Sequence, residues 1–137
     1  MQNPVDFDGM RILLVEDNEL NREIATAILK DAGFDTETAQ NGKEALERLT
    51  EAGAGYFDAV LMDLQMPVMD GYEAAREIRT LKDPVLAQIP IIALSANAFE
   101  EDKKASLAAG MNAHIAKPIQ VPELMQILTI FLQADAK

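Results

Sequence analysis

Short apolar runs alternate along the chain with longer segments in which apolar residues recur every three or four positions. The runs predict five strands: Arg11–Val15, Asp35–Ala39, Ala59–Met62, Ile91–Leu94 and Ala113–Ala116. The longer segments predict a helix after each strand, because their apolar residues would share one face of a helix. This alternation is typical of a parallel α/β sheet with helices on both faces.

Capping residues indicate where the first three helices begin. Asn18 lies where its side chain would cap the first helix, which is expected to end at Gly33. The buried stripe of this helix would consist of Ile24, Ala25, Ile28 and Leu29. Asn41 and Asp70 are each followed three residues later by a glutamate, and this capping-box spacing predicts the starts of the second and third helices.

The last two predicted helices differ in their apolar faces. The fourth, roughly Ala98–Ala109, has a thin apolar face because charged residues fill its first turns. The fifth begins near Pro122 and carries a full apolar stripe. Three further apolar residues lie off that stripe: Met125, Ile130 and Leu132. They are interpreted either as packing at the end of the domain or as a surface that contacts a partner.

One domain of ordinary size accounts for nearly all of the 137 residues. We assign residues 11–132 to this domain, residues 1–10 to an N-terminal extension or linker, and residues 133–137 to a frayed tail. No apolar run is long enough to cross a membrane, and acidic residues occupy the N-terminal stretch where an export signal needs a basic start. We therefore expect a cytoplasmic protein without direct membrane contact.

The composition excludes several functions. The chain carries 23 acidic and 12 basic residues, a net charge of -11, which opposes binding to the phosphates of nucleic acids. It contains no cysteine, so disulfide bonds, thiol catalysis and cysteine-ligated zinc are excluded. The 49% of hydrophobic residues is enough to fill a core, so the domain is expected to fold alone.

Chemically distinctive residues follow four of the five predicted strands. Glu16 and Asp17 follow the first strand, Asp63 the third, Ser95 the fourth and Lys117 the fifth. Each has an ordinary structural explanation, as a helix cap, a turn residue or a solvated charge. Their shared position is more informative, because ligands bind at the carboxyl edge of an open parallel sheet.

Three carboxylates at one edge would repel one another unless a cation lay between them. Oxygen-only ligands of this kind suit Mg²⁺.

These residues resemble the receiver domains of bacterial two-component response regulators. The resemblance extends from about Arg11 to Leu132 and rests on four segments: Val15-Glu16-Asp17-Asn18, Met62–Pro67 with Asp70-Gly71, Ala93–Ala96, and Lys117-Pro118. It implies a flavodoxin-like (CheY-like) fold, a doubly wound five-stranded parallel sheet in the order 2-1-3-4-5 with five helices.

The resemblance also implies a role for each acidic residue. Asp63 would be the phosphoacceptor, receiving a phosphoryl group from a phosphohistidine to form an aspartyl phosphate. Asp17 and Asp63 would bind Mg²⁺ through their carboxylates, Gln65 through its backbone carbonyl, and Glu16 through a bound water. Apart from this self-phosphorylation and the later dephosphorylation, no enzymatic activity is expected.

Other positions would act in the conformational switch. Lys117 would pair with the phosphoryl oxygens, and Ser95 would donate its hydroxyl group to one of them when the switch is thrown. His114 stands where the family commonly has a tyrosine or phenylalanine that rotates with the switch. Gln65 and Asn97 occupy the family's variable positions and would tune how fast the acyl phosphate hydrolyses.

The implied partner is a histidine kinase or a histidine phosphotransfer domain, with the receiver itself a monomer or weak dimer. Leu20 and Asn21 on the first helix are the candidate contacts. The segment Asp17–Asn21 resembles most closely the receivers of hybrid sensor histidine kinases, which would place the domain on the cytoplasmic side of a membrane. A single-domain response regulator is the alternative.

Two rival functions remain for comparison. A haloacid-dehalogenase-like phosphatase also forms an aspartyl phosphate, but it needs a second aspartate two residues after the nucleophile, where this chain has Gln65. A degenerate receiver that only binds proteins would not need the complete set of site residues: Glu16, Asp17, Asp63, Ser95 and Lys117.

Overall fold

The computed structural model describes residues 9–64, 66, 68–95, 100–117 and 119–135. Its strands are β1 (Arg11–Val15), β2 (Asp35–Ala39), β3 (Ala59–Asp63), β4 (Ile91–Ser95) and β5 (Ala113–Ala116). All are parallel to their neighbours and form one sheet in the order β2-β1-β3-β4-β5, which confirms the prediction. β3 and β4 are each one residue longer than predicted, so Asp63 and Ser95 are the last residues of their strands.

Six helices, and not the predicted five, occur in the described part of the chain. They are α1 (Glu19–Asp31), α2 (Gly42–Ala52), α3 (Gly71–Arg79), α4 (Pro84–Ala87), α5 (Glu100–Ala108) and α6 (Val121–Asp135). The missed helix, α4, is a single turn capped by Asp83, and four residues are too few for an apolar period to be visible. α6 includes residues 133–135, which we had assigned to the tail.

Each face of the sheet buries its own apolar cluster, because successive strand side chains point to opposite faces. On one face Leu13, Val60 and Ile91 pack with residues of α2 and α3. On the other, Ile12 and Leu61 pack with residues of α1 and α6. Burial on both faces explains why the central strands are continuous apolar runs instead of alternating ones.

The first helix buries less of its apolar stripe than predicted, and the residues off the stripe of the last helix divide between core and surface. Of the predicted α1 stripe, Ala25 and Leu29 are buried and Ile28 partly so, but Ile24 is 52% exposed. Ile24 lies beside the carboxyl edge of the sheet, where it lines a small cavity. On α6 Met125 packs against the core and Ile130 is exposed, whereas the side chain of Leu132 is outside the described residues.

The three predicted caps are present and bring helix starts to the carboxyl edge of the sheet. The side chains of Asn18, Asn41 and Asp70 each accept a hydrogen bond of 2.9 Å from the backbone N–H three residues later. In α2 the glutamate of the box accepts from the N–H of Gln40, one residue before the cap. The capped helix starts therefore position the loops that carry the candidate site.

None of the helices within the described ranges is long and apolar enough to cross a membrane.

Candidate functional site

The carboxyl ends of four strands bring the predicted site residues to one edge of the sheet. Glu16, Asp63 and Ser95 are only 3–5% exposed there, whereas Asp17 is exposed. Carboxylate oxygens of Glu16, Asp17 and Asp63 all lie within 4.8 Å of one another. Two buried carboxylates and one exposed carboxylate thus form one acidic cluster, an arrangement that could hold a metal ion.

Lys117 connects this acidic cluster to β5. Its Nζ lies 2.9 Å from Oε1 of Glu16 and 3.0 Å from Oδ2 of Asp63. Its backbone N–H donates a hydrogen bond of 2.7 Å to the carbonyl of Ser95, which holds the start of the β5–α6 loop against β4. One ammonium group therefore faces two buried carboxylates, and the three carboxylates of the cluster outnumber it.

This imbalance is visible in the pKa values of the site. Burial raises the pKa of Asp63 from 3.8 to about 6; the hydrogen bond from Lys117 opposes the increase, while the neighbouring Glu16 adds to it. Burial would also raise the pKa of Glu16, but its hydrogen bonds, above all from Lys117, hold that pKa below its usual range. Burial would lower the pKa of Lys117, but its bonds to both carboxylates raise it. Of the two buried carboxylates, Asp63 is thus the one that is less favourably ionised.

The loop between β1 and α1 is fixed by three groups. The backbone N–H of Asn18 lies 3.2 Å from Oε2 of Glu16, and the Asn18 side chain caps α1. Nη1 of Arg22 donates hydrogen bonds to the carbonyl oxygens of Glu16 at 2.9 Å and Asp17 at 3.1 Å. The sequence analysis missed Arg22, because nothing distinguishes it in the sequence from an ordinary charged residue on a helix surface.

Gly71 lets α3 start directly against the phosphoacceptor candidate. A Cβ atom at this position would lie 2.9 Å from Cα of Leu64 and would also clash with the carbonyl oxygen of Asp63. The N–H of Gly71 donates a hydrogen bond of 3.1 Å to the carbonyl of Leu64. The end of β3 and the start of α3 therefore have a close contact that a larger residue would disturb.

Only some of the remaining predicted residues are described by the structure. His114 is half-buried in β5, paired in register with Ala93 of β4. Leu20 and Asn21 are exposed in the first turn of α1. Gln65, expected to be a metal ligand and a tuning residue, and Asn97, expected to be a tuning residue, lie outside the described residues, as does Pro118 of the Lys117-Pro118 motif.

A cavity of about 90 Å³ joins the acidic cluster to the exposed part of α1. Glu16 and Lys117 line it together with Asn21, Ile24 and Ile119. The cavity wall is mainly apolar, so the charged pocket has an apolar surface directly beside it.

The fold and the site together define a flavodoxin-like protein. Its acidic cluster lies at the carboxyl edge of the parallel sheet, at the point where the strand order reverses. The family described as the response regulator receiver domain matches residues 12–129. The chain belongs to this family, and it is a receiver domain of a two-component phosphorelay.

Its relatives include hybrid kinases and response regulators. The chain is 41% identical over 124 residues to hybrid signal transduction histidine kinase B of Dictyostelium discoideum, an alignment that covers 84% of this chain but only 6% of the kinase. It is 44% identical over 124 residues to a two-component response regulator of Oryza sativa subsp. japonica, covering 89% of this chain and 94% of that protein. The domain thus occurs both within long kinases and nearly alone.

Two solved structures are informative about the site. The receiver domain of a Pseudomonas aeruginosa PAO1 sensor histidine kinase, with magnesium coordinated in its active site cleft, is 41% identical with a TM-score of 0.81, covering 91% of this chain and 98% of that one. The receiver domain of a Saccharomyces cerevisiae response regulator, crystallised with its histidine phosphotransfer protein, is 31% identical with a TM-score of 0.83, covering 93% and 92%.

Proposed function

We propose that Asp63 accepts a phosphoryl group from a phosphohistidine of a partner protein. The observation that carries this proposal is the buried Asp63 carboxylate, 3.0 Å from the ammonium group of Lys117 and close to two further carboxylates. A carboxylate oxygen of Asp63 forms the new P–O bond while the P–N bond to the imidazole breaks, and the imidazole leaves with the bond electrons and takes up a proton. Hydrolysis of the acyl phosphate then restores the carboxylate and releases inorganic phosphate.

The donor set fits Mg²⁺, because the cluster offers only carboxylate oxygens and Mg²⁺ binds through one or two carboxylates while it keeps several waters. Asp17 and Asp63 would bind the ion through their carboxylates, Gln65 through its backbone carbonyl and Glu16 through a bound water. When bound, the ion neutralises charge that the phosphoryl oxygens carry during transfer. The ammonium group of Lys117, 3.0 Å from the Asp63 carboxylate, would do the same.

Phosphorylation would then act as a switch. The phosphoryl group adds a charge of about -1.5 to -2 in a pocket that already carries excess negative charge. Ser95, buried at the end of β4, would donate its hydroxyl group to a phosphoryl oxygen, and His114 on the neighbouring strand would change its rotamer. Gln65 and Asn97 would set the lifetime of the acyl phosphate.

We also propose which reactions the domain undergoes, which kind of protein contains it and what its oligomeric state is. Gln65 stands two residues after Asp63, where a haloacid-dehalogenase-like phosphatase needs a second aspartate. This favours self-phosphorylation of Asp63 and hydrolysis of the acyl phosphate, without turnover of another substrate. A hybrid histidine kinase is favoured as the protein that contains this domain, with a single-domain response regulator as the alternative; in a hybrid kinase the domain would lie on the cytoplasmic side of the membrane. The domain itself is a monomer or weak dimer. The full-length sequence of the protein and the sedimentation behaviour of the domain test these statements.

The phosphodonor would bind on α1. Leu20 is 64% exposed and Asn21 lies beside it, next to the apolar cavity that leads to the acidic pocket. This surface suits a histidine kinase or histidine phosphotransfer domain, whose phosphohistidine must reach Asp63. Leu20→Glu should slow phosphotransfer from the cognate protein and leave phosphorylation by acetyl phosphate unchanged. Equal rates from the protein donor would contradict the assignment.

Mass spectrometry tests the phosphoacceptor directly. Incubated with Mg²⁺ and acetyl phosphate, the protein should gain one phosphoryl group, and Asp63→Asn should not. Asp31→Asn, at the exposed end of α1, is the control and should gain the group normally. The same mass gain in Asp63→Asn would show that another residue is the acceptor.

A further inference from the structure

Arg22 contacts the backbone of both acidic residues that follow β1. Its Nη1 lies 2.9 Å from the carbonyl oxygen of Glu16 and 3.1 Å from that of Asp17. Its own backbone N–H donates a hydrogen bond of 2.9 Å to the carbonyl of Asn18. The arginine therefore closes a ring of contacts around the loop that presents two of the three carboxylates.

The stability of α1 alone does not explain an arginine here. Arg22 is the fourth residue of the helix, and a cation near a helix N-terminus is unfavourable because the N–H groups there carry partial positive charge. The guanidinium group turns back from the helix onto the loop, where two carbonyl oxygens accept its N–H groups. These two carbonyl oxygens stabilise the positive charge of the guanidinium group, which is unfavourable near the start of the helix.

The contact matters because the two carboxylates are held differently. The Glu16 side chain is buried and hydrogen-bonded to Lys117 and to the N–H of Asn18. The Asp17 side chain is exposed, so its direction depends on the conformation of its own backbone. Arg22 hydrogen-bonds to the carbonyl groups of both peptide units that flank Asp17.

We propose that Arg22 is a positioning residue for the metal site: it holds the Glu16–Asp17 backbone so that both carboxylates face Asp63. The inference rests on the proposed function, in which these carboxylates bind Mg²⁺ directly or through water. Groups that orient metal ligands without touching the metal commonly change metal affinity by about 10–100-fold when they are removed.

The direction in which Mg²⁺ affinity changes when Arg22 is replaced distinguishes a positioning role from simple electrostatics. Arg22→Met removes a positive charge near a cation site, and Coulomb's law alone predicts tighter Mg²⁺ binding. Positioning predicts weaker binding, by about tenfold in Kd. Isothermal titration calorimetry with Mg²⁺ on the unphosphorylated domain measures this Kd, and an unchanged or lower Kd would overturn the proposal. Far-UV circular dichroism in EDTA checks that the variant is folded.

Arg22→Lys provides a rescue variant. Both hydrogen bonds come from one guanidinium nitrogen, and a lysine ammonium group has three N–H donors. We expect Arg22→Lys to keep most of the Mg²⁺ affinity that Arg22→Met loses, and equal loss in both variants would count against the proposal. Lys30→Met removes the same charge from the last turn of α1 and should not weaken Mg²⁺ binding.

Phosphorylation kinetics complete the test. With acetyl phosphate, Arg22→Met should need about tenfold more Mg²⁺ for half-maximal rate but reach the same maximal rate. A lower maximal rate at unchanged Mg²⁺ dependence would overturn the positioning role. The failure of the phosphoacceptor assignment is distinguishable, because Asp63→Asn would then still be phosphorylated; absence of Mg²⁺ binding by the unmodified domain would overturn both proposals.

Discussion

Charged residues occupy both ends of the sheet. At the carboxyl edge they are largely buried, and the carboxylates outnumber the ammonium group. Around the starts of β1 and β2 they are partly exposed and form ion pairs. At the latter end the guanidinium group of Arg11 lies 3.6 Å from Asp35, 3.9 Å from Glu37 and 4.1 Å from the centre of the Tyr56 ring. Arg48 approaches Glu37 at 3.6 Å, and the Tyr56 hydroxyl donates to Glu37. Here Asp35 and Glu37 each have an arginine beside them.

The two regions show that burial and balance, more than residue type, distinguish a reactive site from a structural one. Exposed ion pairs contribute little to stability because water screens them. At the carboxyl edge the same residue types are withdrawn from water with fewer cations than anions, so the pKa of Asp63 is raised to about 6. Excess negative charge in a buried pocket favours the binding of a cation.

The largest expected difference concerns the two cations, Lys117 and Arg48. Lys117→Met leaves two buried carboxylates without their ammonium group and should lower the free energy of unfolding by about 3 kcal/mol at pH 7 in EDTA. Arg48→Met at the exposed end should cost less than about 1 kcal/mol. Urea unfolding measures both, and similar costs would remove the distinction between the two ends. Lys117→Met should also slow phosphorylation by acetyl phosphate about 100-fold or more.

A smaller effect of opposite sign is expected at Asp63. Because its pKa is about 6 in the folded protein and 3.8 ordinarily, the folded state binds a proton more tightly than the unfolded chain. This tighter proton binding therefore stabilises the folded state fully below about pH 4, and the stabilisation is lost as the pH rises through about 6. Asp63→Asn should unfold with a free energy about 1–2 kcal/mol higher than the unmodified domain at pH 7 in EDTA.

The pH profile and a matched variant check this explanation. The advantage of Asp63→Asn should disappear near pH 4, and Mg²⁺ should reduce it at pH 7 by stabilising the unmodified domain. Asp35→Asn at the paired end removes a contact to Arg11 and should lower stability by less than about 1 kcal/mol. Destabilisation of the domain by Asp63→Asn in EDTA would show that the site is not strained by excess charge.

The smallest effect is expected from the backbone at the carboxyl edge. Val68, in the loop between β3 and α3, has a φ of 68°, and its side chain is 76% exposed. A β-branched residue in this left-handed region is strained by about 1–2 kcal/mol. Val68→Gly removes the strain but adds flexibility to the unfolded chain, so a net gain of about 0.5–1 kcal/mol is expected in thermal unfolding. No gain would show that other contacts of Val68 compensate for the strain.

Much of the fold follows from local patterns. The strand β1, the edge strand β2 and the short strand β5 have the predicted ends, because apolar runs bounded by turn residues act within a few positions. The caps at Asn18, Asn41 and Asp70 were predictable for the same reason, since each hydrogen bond spans only three residues. The helix α4 and the exposure of Ile24 were not, because one is too short to show a period and the other depends on neighbouring elements.

The candidate site divides in the same way. The sequence by itself determined which residues follow each strand, and the rule that parallel strands share a carboxyl edge was enough to predict that Asp17, Asp63 and Lys117 would lie close together. Only the tertiary structure decided that Lys117, which lies 101 residues from Glu16 and 54 from Asp63 along the chain, bridges the two carboxylates. It also decided which carboxylate is hardest to ionise and that Arg22 turns onto the β1–α1 loop. Burial and distances of a few ångströms control these properties, and both depend on how separate elements pack.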